Sequence, residues 1–134
     1  MQPLIGIIDD DNEVRFSVGV LIEVSGFDVE MFGSAEEFLA CENFSRFACL
    51  IVDFRLSGLS GLDLLRRLRE QHVLTPAIVS SGFISESEEA EFIAAGALKV
   101  LHKPVDARLL VSTIRDTVAR SSEHLQGPPY SEAG

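Results

Sequence analysis

Five short strand-like runs, each followed by a stretch with a different apolar period, constrain this chain more than any other feature. The runs are Leu4–Ile8, Asp28–Phe32, Phe47–Val52, Ala77–Ser80 and Leu98–Leu101. The first and third are nearly continuous in apolar residues, the pattern of a strand buried on both faces. Between the runs, apolar residues recur at helical spacing: Val14, Val18, Leu21 and Ile22, then Leu62, Leu64, Leu65 and Leu68, then Leu109, Leu110, Ile114 and Val118. Start and stop signals agree with that division. Ser34 and Glu37 form a capping-box pair for a short helix at about Ala35–Ala40, Asp106 suits an N-cap, and Gly26 and Gly96 follow predicted helix ends. An acidic helix is predicted at about Glu86–Ala95. The order is βα five times over with short connections, which gives a parallel sheet with helices on both faces. Right-handed crossovers leave few topologies for it.

Composition narrows the function classes. The 134 residues are enough for one domain, and 46% of them are apolar, enough for a substantial core. The net charge of −10 argues against binding nucleic acid or an anionic membrane surface, because both need Lys and Arg to neutralise phosphates. Cys41 and Cys49 make neither a disulfide framework nor a metal-ligand spacing. The N-terminus lacks a basic leader, and Leu4–Ile8 is too short to be a signal peptide core or to span a membrane, so a cytoplasmic location is expected. From Ser121 onward SSEHLQGPPYSEAG turns polar and rich in Pro and Gly, and residues 121–134 are expected to form a disordered tail or the start of a linker after a folded domain at 1–120.

In an open parallel sheet, ligands sit beyond the carboxyl ends of the strands. Asp9 and Asp10 follow the first run, Asp53 the third, Ser81 the fourth and Lys103 the fifth. Carboxylates held close together repel one another unless a cation intervenes. Oxygen ligands with room for water are what Mg²⁺ (or Mn²⁺) takes. Lys103 adds a positive charge able to pair with an anionic group, and Ser81 a hydrogen-bond donor. The set suits phosphoryl transfer, with Asp53 as the nucleophile.

These residues carry a resemblance. IIDDDNEVR, LIVDFRLSGLSGLDLL, IVSSG and LHKP resemble, in order, the motif segments of the CheY-like receiver domains of response regulators, over roughly residues 3–119. The style of GSAEEFLA and DFRLSGLSGLDLLRRL is closest to the FixJ-type subgroup. The resemblance implies a doubly wound, flavodoxin-like (βα)5 fold with strand order 2-1-3-4-5. It implies that Asp53 accepts a phosphoryl group from a sensor histidine kinase and that Asp9 and Asp10 form the metal pair, with Asp10 the direct ligand. The backbone carbonyl of Arg55 is then a further ligand, Ser81 the switch hydroxyl and Lys103 the charge partner of the phosphoryl group, with a cis Lys103–Pro104 bond. Homodimerisation on phosphorylation, through the fourth and fifth helices and the fifth strand, is also implied.

Three positions depart from the family pattern. Ser57 replaces the usual loop proline and is expected to loosen that loop. Val100 stands where an aromatic residue usually follows the movement of the switch hydroxyl, so the relay is expected to be muted. Phe83, two beyond Ser81, and Arg55, two beyond Asp53, tune lifetime: Phe83 offers no hydrogen bond to a hydrolytic water, and slow autodephosphorylation is expected. Ser57 and Val100 also admit a second reading, a phosphorylation-independent receiver that serves as a constitutive dimerisation or docking module. A phosphatase would need a carboxylate where Arg55 stands. A flavin carrier would have Asp9–Asp11 repelling its phosphate. No effector domain is visible, so the chain reads as a single-domain regulator or as a receiver from a longer protein.

Overall fold

The computed structural model describes residues 2–126. Its elements run β1 (Leu4–Ile8), α1 (Asn12–Val24), β2 (Asp28–Phe32), α2 (Ala35–Leu39), a 3-10 turn (Phe44–Arg46), β3 (Phe47–Asp53), α3 (Gly61–Glu70), β4 (Ala77–Ser81), α4 (Glu86–Ala94), β5 (Ala97–His102) and α5 (Ala107–Gln126). All five strands are parallel, in the order β2-β1-β3-β4-β5. The expected fold class and strand order are therefore the observed ones.

Helix starts follow local chemistry. Asp11 caps α1 by accepting from the backbone N–H groups of Glu13 and Val14, and Asp106 accepts from that of Leu109. Ser34 caps α2 through the Glu37 N–H, but the Glu37 carboxylate reaches one residue further back, to the N–H of Gly33, so the reciprocal half of the expected capping box is displaced. The complete box lies instead at α4, between Ser85 and Glu88. α5 continues through Ser121 to Gln126, past the place where a tail was expected. Ser121 to Gln126 contain no Gly or Pro, and polar composition alone does not stop a helix. The rest of the expected tail, 127–134, lies outside the described residues.

The central strands are buried on both faces, as their apolar runs require. One face carries Ile8, Leu50, Val52, Val79 and Val100 against Phe38, Leu64, Leu65, Leu68 and Phe92 of α2, α3 and α4. The other carries Ile5, Ile7, Ile51, Ile78 and Leu101 against Ile22 of α1 and Leu110 and Ile114 of α5. Each such side chain contributes about 1.5–3 kcal/mol on burial. Phe32, Phe38, Phe44 and Phe47 add an aromatic group, with Phe32 edge-on to Phe38 at 5.1 Å between centroids. These two cores hold the strands rigidly, and the strand ends carry the site.

Candidate functional site

β1 and β3 lie side by side, and their connections leave to opposite sides of the sheet, which opens a crevice at their carboxyl ends. Asp9 and Asp10 follow β1, Asp53 ends β3, Ser81 ends β4, and Lys103 follows β5. The structure brings Asp9, Asp10 and Asp53 together, each offering one carboxylate oxygen, and these oxygens all lie within 4.8 Å of one another. Oxygens around a Mg²⁺ at about 2.0–2.1 Å are about 2.9 Å apart when adjacent and up to about 4.2 Å when opposite, so this donor set fits a small hard cation once the carboxylates close around it. Gly61 permits the crowding on this side of the crevice: a Cβ there would lie 2.9 Å from the Asp53 carbonyl oxygen.

The three carboxylates sit in different surroundings. Asp53 and Asp9 are buried and Asp10 is exposed. Lys103 Nζ donates to Asp53 Oδ1 at 3.0 Å, which partly neutralises the pocket. Burial pushes the Asp9 carboxyl above its ordinary pKa; the N–H of Asp11 opposes this, and the charge of Asp53 adds to it. Asp10 is held below its ordinary value by two hydrogen bonds from Ser57, its backbone N–H at 2.9 Å and its hydroxyl at 2.8 Å, both to Oδ2.

Ser57 therefore does not loosen its loop. The serine brings two donors that a proline lacks, and both cross to the β1–α1 connection. The Leu59 N–H holds the same loop from the other side, donating to Glu36 Oε2 at 3.0 Å.

Ser81 is fully buried, and its hydroxyl has no hydrogen-bond partner among the described residues. Side chains alternate along a strand, so Ser81 shares a face with Val79, which is in register with Val100 on β5. Val100 is itself buried, in the same core as Phe92, and leaves no mobile aromatic group at that position. Phe83 is 75% exposed and Arg55 is exposed, its guanidinium 5.4 Å from the Phe54 ring centroid. The Lys103–Pro104 bond is cis, as expected.

Two features escaped sequence reasoning. One is the Ser57–Asp10 pair, whose members are 47 residues apart. The other is Ser80, which faces away from Ser81 and lines, with Asp9, Asp53 and Lys103, a cavity of about 230 Å³ between the sheet, α1 and α5. The two-residue period of β4 was the available signal for Ser80.

A family model described as the response regulator receiver domain matches residues 5–115. The chain belongs to that family. This receiver domain is 35% identical over 119 residues to the transcriptional regulatory protein FixJ of Rhizobium meliloti, covering 89% of this chain and 56% of that protein. It is 35% identical over 126 residues to the response regulator protein TodT of Pseudomonas putida, covering 94% of this chain and 56% of that protein. The chain thus spans a little over half the length of these relatives. Among solved structures, a CheY-like receiver domain protein from Methanospirillum hungatei JF-1 matches with a TM-score of 0.85 at 26% identity, covering 92% of this chain and 99% of that one. Family membership and the Asp9–Asp10–Asp53 cluster together make this a phosphoacceptor signalling domain. No described helix is long and apolar enough to cross a membrane.

Proposed function

We propose that the receiver domain, residues 1–120, takes a phosphoryl group on Asp53 from the phosphohistidine of a sensor kinase and changes its partner binding as a result. The observation that carries this reading is the buried Asp53 carboxylate, with Lys103 Nζ on Oδ1 and Asp9 and Asp10 beside it. Oδ1 is engaged, so Oδ2 is the oxygen that attacks phosphorus. The phosphorus–nitrogen bond of the donor breaks, and the imidazole leaves with the electron pair. Lys103 stays close to the oxygens that gain charge, and Ser81, whose hydroxyl lacks a partner, supplies a hydrogen bond to one of them. Asp9, Asp10, Asp53 and the backbone carbonyl of Arg55 would hold Mg²⁺ or Mn²⁺, which supplies further charge compensation when bound. The exposed Phe83 side chain positions no water, so the phosphoryl group persists for minutes or longer. Phosphorylation adds about −1.5 to −2 charge, enough to bias a two-state element. Relatives named as transcriptional regulatory proteins support a transcriptional output for such a bias; homodimerisation as its carrier and a cytoplasmic location belong to the same proposal.

Intact mass and size-exclusion chromatography of wild type and Asp53→Ala, with and without acetyl phosphate and Mg²⁺, test this reading. The expected result is a one-phosphoryl gain in wild type only, lost without metal, stable for minutes after the donor is removed, and accompanied by earlier elution. No adduct, with one oligomeric state throughout, would favour the constitutive docking module.

A further inference from the structure

Asp10 differs from its two neighbours in being exposed, and nothing in a core fixes its side chain. Asp9 and Asp53 repel it, because the three carboxylate oxygens share a space only 4.8 Å across. A free surface carboxylate in that field would rotate outward. Ser57 opposes this with two donors on the same oxygen, its N–H at 2.9 Å and its hydroxyl at 2.8 Å from Oδ2. Hydrogen bonds to an ionised acceptor are the stronger kind. Both donors stand on a loop that is itself tied to α2 through the Leu59 N–H and Glu36. With Oδ2 taken, Oδ1 remains for a cation.

We infer that Ser57 is a positioning residue for the divalent cation: it holds Asp10 with one oxygen free in the crevice, so that binding need not include the ordering of that side chain. Partners that orient a metal-ligating group typically change affinity by about 10–100-fold when removed. The loop after the phosphoacceptor is thereby coupled to the metal, since a movement of Ser57 carries Asp10 with it. The inference rests on reading the cluster as a metal site.

Calorimetric titration of Mg²⁺ into the unphosphorylated chain tests it, with wild type, Ser57→Ala, Ser57→Thr and Ser57→Pro, each also melted by circular dichroism. Ser57→Ala, which keeps the N–H, is expected to weaken binding by about threefold or more, and Ser57→Pro, which loses both donors, by about tenfold or more. Ser57→Thr keeps both donors and is expected to remain within about twofold of wild type. A merely structural role would lower melting temperatures and leave the affinities alike, and that result overturns the inference. So does tighter binding in Ser57→Ala, which would make Ser57 a competitor of the metal. If Ser57→Pro fails to fold, the alanine and threonine variants still decide. Wild type that binds no Mg²⁺ would overturn the metal reading itself, and this inference with it.

Discussion

Ser81 is the residue whose surroundings fit its resting state least well. Its hydroxyl is buried without a partner among the described residues, and a polar group left so loses its water for nothing, at a cost of about 1–3 kcal/mol. Replacing it with alanine removes the orphaned group and leaves a space of only one oxygen atom. Ser81→Ala is therefore expected to keep or raise the stability of the unphosphorylated, metal-free protein, by up to about 1 kcal/mol. A urea titration would read this as an unchanged or higher midpoint with an unchanged slope. On the proposed reading the same variant should gain less stability than wild type from phosphorylation, by about 1 kcal/mol, because it lacks the hydroxyl that would donate to a phosphoryl oxygen. A variant with a clearly lower midpoint at rest would mean that the hydroxyl already has a partner there. Val100 enters here too. Exposed by only 8% and lacking a ring, it has no aromatic group to swing toward Ser81.

Among the elements, α3 is tied down at its end by a single side chain. Arg69 donates through Nη1 to the carbonyls of Val73 at 2.8 Å and Thr75 at 3.0 Å, and through Nη2 to that of Gly96 at 2.9 Å. One guanidinium thus joins the last turn of α3, the entry to β4 and the turn between α4 and β5. Gly96 has φ of +103°, and a Cβ there would run into Arg69, so the turn and the arginine fit only each other. Arg69→Met is expected to cost about 1–3 kcal/mol by denaturant titration, from carbonyls left without a donor. Arg69→Lys should recover less than half of that, since an ammonium cannot fork across two loops. Equal stability of all three proteins would show that water replaces the arginine freely. This device was not legible in the sequence, where Arg66, Arg67 and Arg69 look alike on one amphipathic helix. The elements themselves were legible, because period-two and period-3.6 segments alternate and Asp11, Ser34 and Asp106 mark helix starts. Asp53 and Lys103 could be placed from strand ends alone. What stayed hidden were pairings set by three-dimensional approach, Ser57 with Asp10 and Arg69 with Gly96, for which no local pattern exists. The end of α5 is hidden for another reason: the polar residues Ser121 to Gln126 carry no stop signal, and polarity alone does not end a helix.

For the whole molecule, charge is the organising quantity. The chain carries a net −10, and part of that charge is concentrated in three carboxylates at one end of the sheet. Two of them respond to pH with opposite sign. Asp9 has a raised pKa when folded, first from burial and then from Asp53 and Asp10, against the N–H of Asp11 and the charge of Lys103. The stability it contributes is full below the ordinary carboxyl value of about 3.9 and is lost as pH rises through its raised folded value. Asp10 has a lowered pKa through Ser57, and its contribution is present above the ordinary value and lost as pH falls through the lowered one. Burial makes the ionised form of Asp9 costly, and a bound divalent cation offsets that cost. Mg²⁺ at pH 7 should therefore raise the melting temperature by more than KCl of equal ionic strength, the added stability being about 2.7 kcal/mol at a hundredfold excess over its dissociation constant. For a domain of this size that is about ten degrees. The increment should shrink as pH falls toward the raised value of Asp9, because the proton and the metal compete for the same oxygen. Asp9→Asn keeps an acceptor for the Asp11 N–H and removes the buried charge, so it should melt a few degrees higher than wild type without metal and gain little from Mg²⁺. If Asp9→Asn melted lower than wild type at pH 7 without metal, the buried charge would be stabilising, and the electrostatic account of this crevice would be wrong.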